Sequence, residues 1–142
     1  MDYRNSVLAG LAGGVVSGVL LTITGSMVTM AQLLGSTSMV LGWIAHLVLG
    51  AILGVVYAAV WGRIVGDRMN TLGSGLLYGF IWYLLAPLTL LPLFLGMGVQ
   101  WSGVGISESV DALVAYLLFG LVLSWAYERL SGRASSGVTA SQ

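Results

Sequence analysis

Apolar residues along this chain follow neither the two-residue alternation of a half-buried strand nor the one-sided stripe of a surface helix. They run in four long stretches: Val7–Ala31, Met39–Trp61, Leu72–Gly96 and Ser107–Tyr127. Each offers the roughly 20 residues a helix needs to cross about 30 Å of hydrocarbon, more than twice the length of a membrane barrel strand. The pattern predicts an all-α integral membrane protein, a four-helix transmembrane bundle over residues 1–130. Short glycine- and serine-rich joints fall at Gln32–Ser38, Gly62–Thr71 and Met97–Ile106, and Ser131–Gln142 reads as a flexible tail. Arg4 before an apolar run is reminiscent of a signal peptide. The run is too long for one and lacks a small-x-small cleavage site before a polar start, so the first stretch is expected to stay as a helix.

All five basic residues are arginines, at positions Arg4, Arg63, Arg68, Arg129 and Arg133. With four crossings, every one falls on the side that holds both termini. The positive-inside rule then predicts a multi-pass protein of the cell membrane with both termini in the cytoplasm. Trp43, Trp61, Trp101, Trp125 and Tyr127 lie near span ends, where amphipathic rings favour the interface.

Composition narrows the class. Hydrophobic residues make up 58% and charged residues 7%, against roughly 45–50% and 25% in soluble proteins. Polar groups are too few to cover a globular surface, so the lipid bilayer is the expected surroundings. A soluble enzyme, a nucleic-acid binder and a disordered chain are excluded together. The formal net charge is zero, which implies no charged partner. With no cysteine there are no disulfides, thiolate metal sites, iron–sulfur clusters or lipoprotein anchor.

The 21 glycines are ordered. In the first span Ser6, Gly10, Gly14, Gly18, Thr22 and Ser26 recur every four residues; in the second, Gly42, His46, Gly50, Gly54, Ala58 and Gly62 do so. Gly75 and Gly79 begin the same pattern in the third span and Gly120 carries it in the fourth. A four-residue period lines up one helix face, and small residues there let membrane helices approach closely. The chain also repeats. Leu47–Tyr57 aligns with Leu117–Tyr127 without gaps, and Gly10–Gly14 lies over Gly75–Gly79. This suggests a tandem duplication of a two-helix hairpin in which His46 corresponds to Tyr116.

Few side chains can carry chemistry. His46, the one histidine, falls on the glycine face of the second span. It is either a functional group or an imidazole hydrogen-bonded to a neighbouring helix. Glu108 and Asp111 open the fourth span, where the helix dipole stabilises acidic residues and Ser107 would serve as cap. Alternatively, Asp111 pairs with His46 in an outward-facing polar pocket. Pro87 and Pro92 interrupt the third span and free backbone carbonyls, which makes either a kink or a site. The candidate polar site is therefore His46, Asp111, Glu108, Tyr116 and Pro87.

One histidine and no cysteine cannot build a metal site within one subunit, so no metal is expected. No cofactor is expected either, the one conceivable exception being a haem shared between subunits through His46. No phosphate loop, nucleophile–base pair or metalloprotease motif occurs, and no catalytic residue is assigned.

The run Gly42-Trp43-Ile44-Ala45-His46 through Gly50, Gly54, Tyr57 and Ala58 resembles a family of small, uncharacterised four-span prokaryotic membrane proteins, many of them archaeal. These carry a Gly-Trp-x-x-His-x-x-x-Gly-x-x-x-Gly-x-x-Tyr-Ala span. The resemblance implies that His46 and its glycines form a unit; it brings no activity with it. Small multidrug transporters also have four spans, but they rest on a glutamate in the first span, and no acidic residue stands there in this chain.

Two functions from different classes remain open. One is a non-catalytic subunit that packs against other membrane proteins through its glycine faces, as an accessory or assembly subunit of a respiratory or other energy-converting complex. The other is a small homo-oligomeric transporter or channel with an outward-facing site at His46 and Asp111.

Overall fold

The computed structural model describes residues 3–65 and 70–139, which are mostly helical and contain no strand. Helix α1 (Tyr3–Ile23) leads into short α2 (Met27–Gln32) and then α3 (Met39–Val56), which widens at Tyr57–Trp61 before α4 (Gly62–Val65). The second half starts with α5 (Thr71–Leu85), widens at Ala86–Leu90, and continues as α6 (Leu91–Phe94). Helix α7 (Gly103–Glu108) precedes the long α8 (Val110–Thr139). Tyr3–Ile23, Met39–Val60, Thr71–Phe94 and Val110–Gly132 are long and apolar enough to cross a bilayer. The chain is a multi-pass, all-α four-helix membrane bundle. Four crossings put the start of α1 and the end of α8 at one end, and α2, α6 and α7 at the far end. Arg68 lies outside the described residues.

Three boundaries depart from the apolar pattern, each for a local reason. The first stretch is not one helix to Ala31. It stops at Ile23, and Gly25 adopts φ +79°, a left-handed backbone that a Cβ disfavours. The Thr22 hydroxyl donates to the carbonyl of Gly18 there. The fourth stretch is not capped by Ser107. Ser102 caps α7 by accepting from Gly105 N–H at 3.1 Å. Ser109 then breaks the axis, and its carbonyl accepts from Leu113 N–H at 2.9 Å to start α8. Last, the backbone stays helical to Thr139, past Ser131 where a flexible tail was expected. Extending a formed helix costs far less than nucleating one. Residues 140–142 lie outside the described residues.

The prolines are absorbed locally. Around Pro87 the helix opens into a π-type turn, and Thr89 Oγ1 donates to Leu84 O at 2.9 Å. Pro92 has no N–H for the Leu88 carbonyl one turn back. The returning chain supplies one instead, from Gln100 N–H at 2.8 Å. In a bilayer, where no water would take that carbonyl, this bond holds the loop against the helix end.

The spans form an arc. Helix α1 packs against both α3 and α8, α8 also packs against α5, and α3 and α5 stand at the two ends. The glycines explain the close pairs. A Cβ on Gly10 would strike the Gly50 carbonyl and the Gly54 Cα, and one on Gly75 would strike the Gly120 carbonyl and Ser124 Oγ. Gly14 faces Leu47 and Gly50, and Gly79 faces Leu117 and Tyr116. Both hairpins therefore use the same contact at repeat-related positions. Gly54 lies on the Ser6 carbonyl, Gly18 on the Trp43 ring and Gly42 on the Met27 carbonyl. Ala9, Tyr57, Tyr78, Phe119, Leu123 and Ala126 form the main core, and Leu21, Met27 and Ala115 a second cluster toward the far end. Large apolar side chains such as Ile23, Val40, Val48 and Ile52 point outward, which suits a lipid surround.

Candidate functional site

His46 faces α1. Its Nε2 lies 3.0 Å from the Gly14 carbonyl and 3.1 Å from Ser17 Oγ. A carbonyl only accepts, so Nε2 carries the proton and donates to Gly14. Ser17 Oγ is itself committed, donating to the Gly13 carbonyl at 3.0 Å. The Trp43 ring stands edge-on to the imidazole, with centroids 6.4 Å apart. The cavity beside His46 measures about 20 Å³, room for about one water and no larger ligand.

Asp111 is held elsewhere. Its carboxylate accepts from Ser26 Oγ, and Ser26 accepts from Thr24 Oγ1 at 3.2 Å. This chain ties the first turn of α8 to the α1–α2 break. No direct His46–Asp111 bond occurs among the described residues, so the alternative in which the two pair is not assembled; each finds its partner on the segment Gly14–Ser26 instead. The break at Gly25 is what brings Ser26 to Asp111.

Four of the five candidate residues do meet. Pro87, Glu108, Asp111 and Tyr116 line one far-end cavity of about 270 Å³, together with Ser26, Thr29, Gln100 and Ser109. A second cavity, about 350 Å³, lies between α3 and the α5–α6 segment. Its walls are apolar, among them Leu49, Leu53, Trp82, Leu90 and Phe94. Met30, Pro87, Leu91 and Tyr116 belong to both cavities, so the two are adjoining lobes of one cleft. Tyr116 also borders the His46 cavity. Its side chain is half-buried, and its hydroxyl makes no hydrogen bond among the described residues.

No protein-family model, curated protein or solved structure matches this chain. Its site therefore stands on its own geometry.

Sequence reasoning singled out the acidic pair, Tyr116 and Pro87, but missed their neighbours. Ser17 and Trp82 were legible only as ordinary span residues, and Ser26 only as the end of the small-residue stripe. One signal was present for Ser17: Ala9, Gly13 and Ser17 form a second small-residue stripe beside the first. Gly13 on that stripe meets Phe119 of α8. Toward the end with the termini, tyrosines bridge α3 and α5. Tyr57 Oη and Ser74 Oγ lie 3.0 Å apart, and Tyr78 Oη donates to the Leu53 carbonyl at 2.6 Å. These bonds close the α3–α5 gap on one half of the bundle; the apolar lobe occupies the other.

Proposed function

We propose that this protein is a non-catalytic membrane subunit that acts by packing, as an accessory or assembly subunit of a larger complex in the cell membrane, such as a respiratory or other energy-converting one. The observation that carries this reading is the use made of its intramembrane polar groups. His46, Tyr57, Tyr78 and Ser74 are all engaged between helices, where such bonds act as glue rather than as a path for solutes. The arginine distribution supports cytoplasmic termini.

Native mass spectrometry of gently solubilised membranes tests the function. A stoichiometric assembly with larger, unrelated subunits is expected; a lone homo-oligomer would favour transport instead. Orientation is tested by single cysteines. Those at Ser36 and Ser102 should react with an impermeant thiol reagent in intact cells and one at Ser136 should not, whereas labelling at Ser136 alone would reverse the topology.

A further inference from the structure

Beyond a packing role, we infer that the two-lobed cleft is a binding site for a lipophilic amine: an apolar body in the lobe between α3 and the α5–α6 segment, and a protonated amino group in the far-end lobe beside Asp111, Glu108 and Tyr116.

The lobes have volumes of about 350 and 270 Å³; the first lies within the range of small-molecule sites, about 300–1,000 Å³, and the second just below it. Their chemistry differs from one lobe to the other. Leu90, Leu91, Phe94 and the ring of Trp82 offer largely apolar surface to a ligand in the first. The second adds two carboxylates, the Ser26, Thr29 and Ser109 hydroxyls and the Gln100 amide. Such a gradient fits an amphiphile lying lengthwise, not a water-soluble solute.

The sign of the charge follows from the walls. Asp111 and Glu108 both face the polar lobe, and none of its lining residues is basic. Arg4, Arg63 and Arg129 lie near the opposite end of the spans. The first turn of α8, which would otherwise attract an anion, already holds Asp111. An anionic headgroup would meet two like charges at a low-dielectric boundary, whereas an ammonium group has three N–H donors for acceptors lining this space.

Tyr116 is the independent pointer to a ligand. A tyrosine hydroxyl between the helices of a membrane bundle ordinarily finds a partner, as Tyr57, Tyr78 and Tyr83 do here. The Tyr116 hydroxyl has none among the described residues, and its side chain lines the junction of the two lobes. Its oxygen can accept from the ammonium while its ring offers a cation–π face.

The test uses the full-length protein in lipid nanodiscs, with protein-free nanodiscs subtracted, and three probes of one chain length: octylammonium, octanol and octanoate. Saturable binding of octylammonium is expected, at least about tenfold tighter than that of octanoate, with octanol between them. Glu108→Gln with Asp111→Asn should abolish the preference for the cation while octanol binding persists. Asn can still accept from Ser26, so the fold-supporting contact is retained. Tyr116→Phe should weaken octylammonium about threefold or more, and Ala86→Trp, which fills the apolar lobe, should reduce all three probes. Equal affinity for cation and anion, or an undiminished cation preference in the doubly neutralised protein, would overturn the assignment. These outcomes are read on the isolated protein and are independent of whether it joins a larger complex.

Discussion

Two helix junctions made equivalent by the internal repeat, α1 against α8 and α5 against α3, are built from opposite kinds of residue. On α1 the contacting stripe is Ala9, Gly13 and Ser17; the corresponding α5 positions hold Ser74, Tyr78 and Trp82. At the first junction Gly13 brings the backbone to within a Cβ's distance of the Phe119 carbonyl, 2.8 Å from where that atom would lie. At the second, Tyr78 and Trp82 stand as wedges. Tyr78 reaches across to the Leu53 carbonyl and stacks edge-on against Tyr57, with centroids 5.1 Å apart, while Trp82 lines a cavity. The same architecture is thus shut on one side and propped open on the other. The lesson concerns residue size: among membrane helices, where hydrophobicity does not drive association, side-chain volume at the contact decides whether two helices touch or enclose a space.

The comparison can be broken most strongly at the wedge. Tyr78→Ala should destabilise the bundle by about 3–5 kcal/mol, the cost of removing a large aromatic ring from a packed core. The measure is the folded fraction in a denaturing-detergent titration. A loss below 1 kcal/mol would mean that α3 and α5 do not depend on the tyrosine bridge.

Next in size is the closed side and its neighbour. Gly13→Leu and Gly50→Leu each place a side chain against backbone and should cost about 1–3 kcal/mol by overpacking. Ala59→Leu, at a half-buried position, should cost clearly less. Equal tolerance at all three positions would show that these glycine faces meet lipid.

His46 sharpens the comparison between structural and working polar groups. His46→Ala should cost about 0.6–1.7 kcal/mol, the range of interhelical hydrogen bonds in membranes, and His46→Gln, which keeps a donor for the Gly14 carbonyl, should restore most of it. If Gln preserves stability but complex incorporation still fails, the histidine does more than bridge helices. The smallest effect is expected at Tyr57→Phe. It removes only the bond to Ser74 and should cost about 0.6 kcal/mol in the same titration. A loss like that of Tyr78→Ala would place the main closure at Tyr57 instead.

The amino-acid sequence by itself determined the medium, the number of crossings and the identity of the close contacts. Length and apolarity leave a helix no other way to satisfy its backbone in lipid, and glycines at a four-residue period can only mark a face that something approaches. Pro87, Glu108, Asp111 and Tyr116 were legible as odd residues in an apolar chain. Which of them would meet was not. Gly25 ends α1 early and swings Ser26 onto Asp111, and the π-type turn at Pro87 shapes a cleft whose other wall, Met30 and Leu49, is distant in sequence. His46 and Asp111 both lie in the far-end halves of their spans, yet they meet different neighbours. A hydropathy pattern records depth and period along one helix at a time. Rotation and spacing between helices come from side-chain volumes meeting across the bundle, and that decided where the cavity lies.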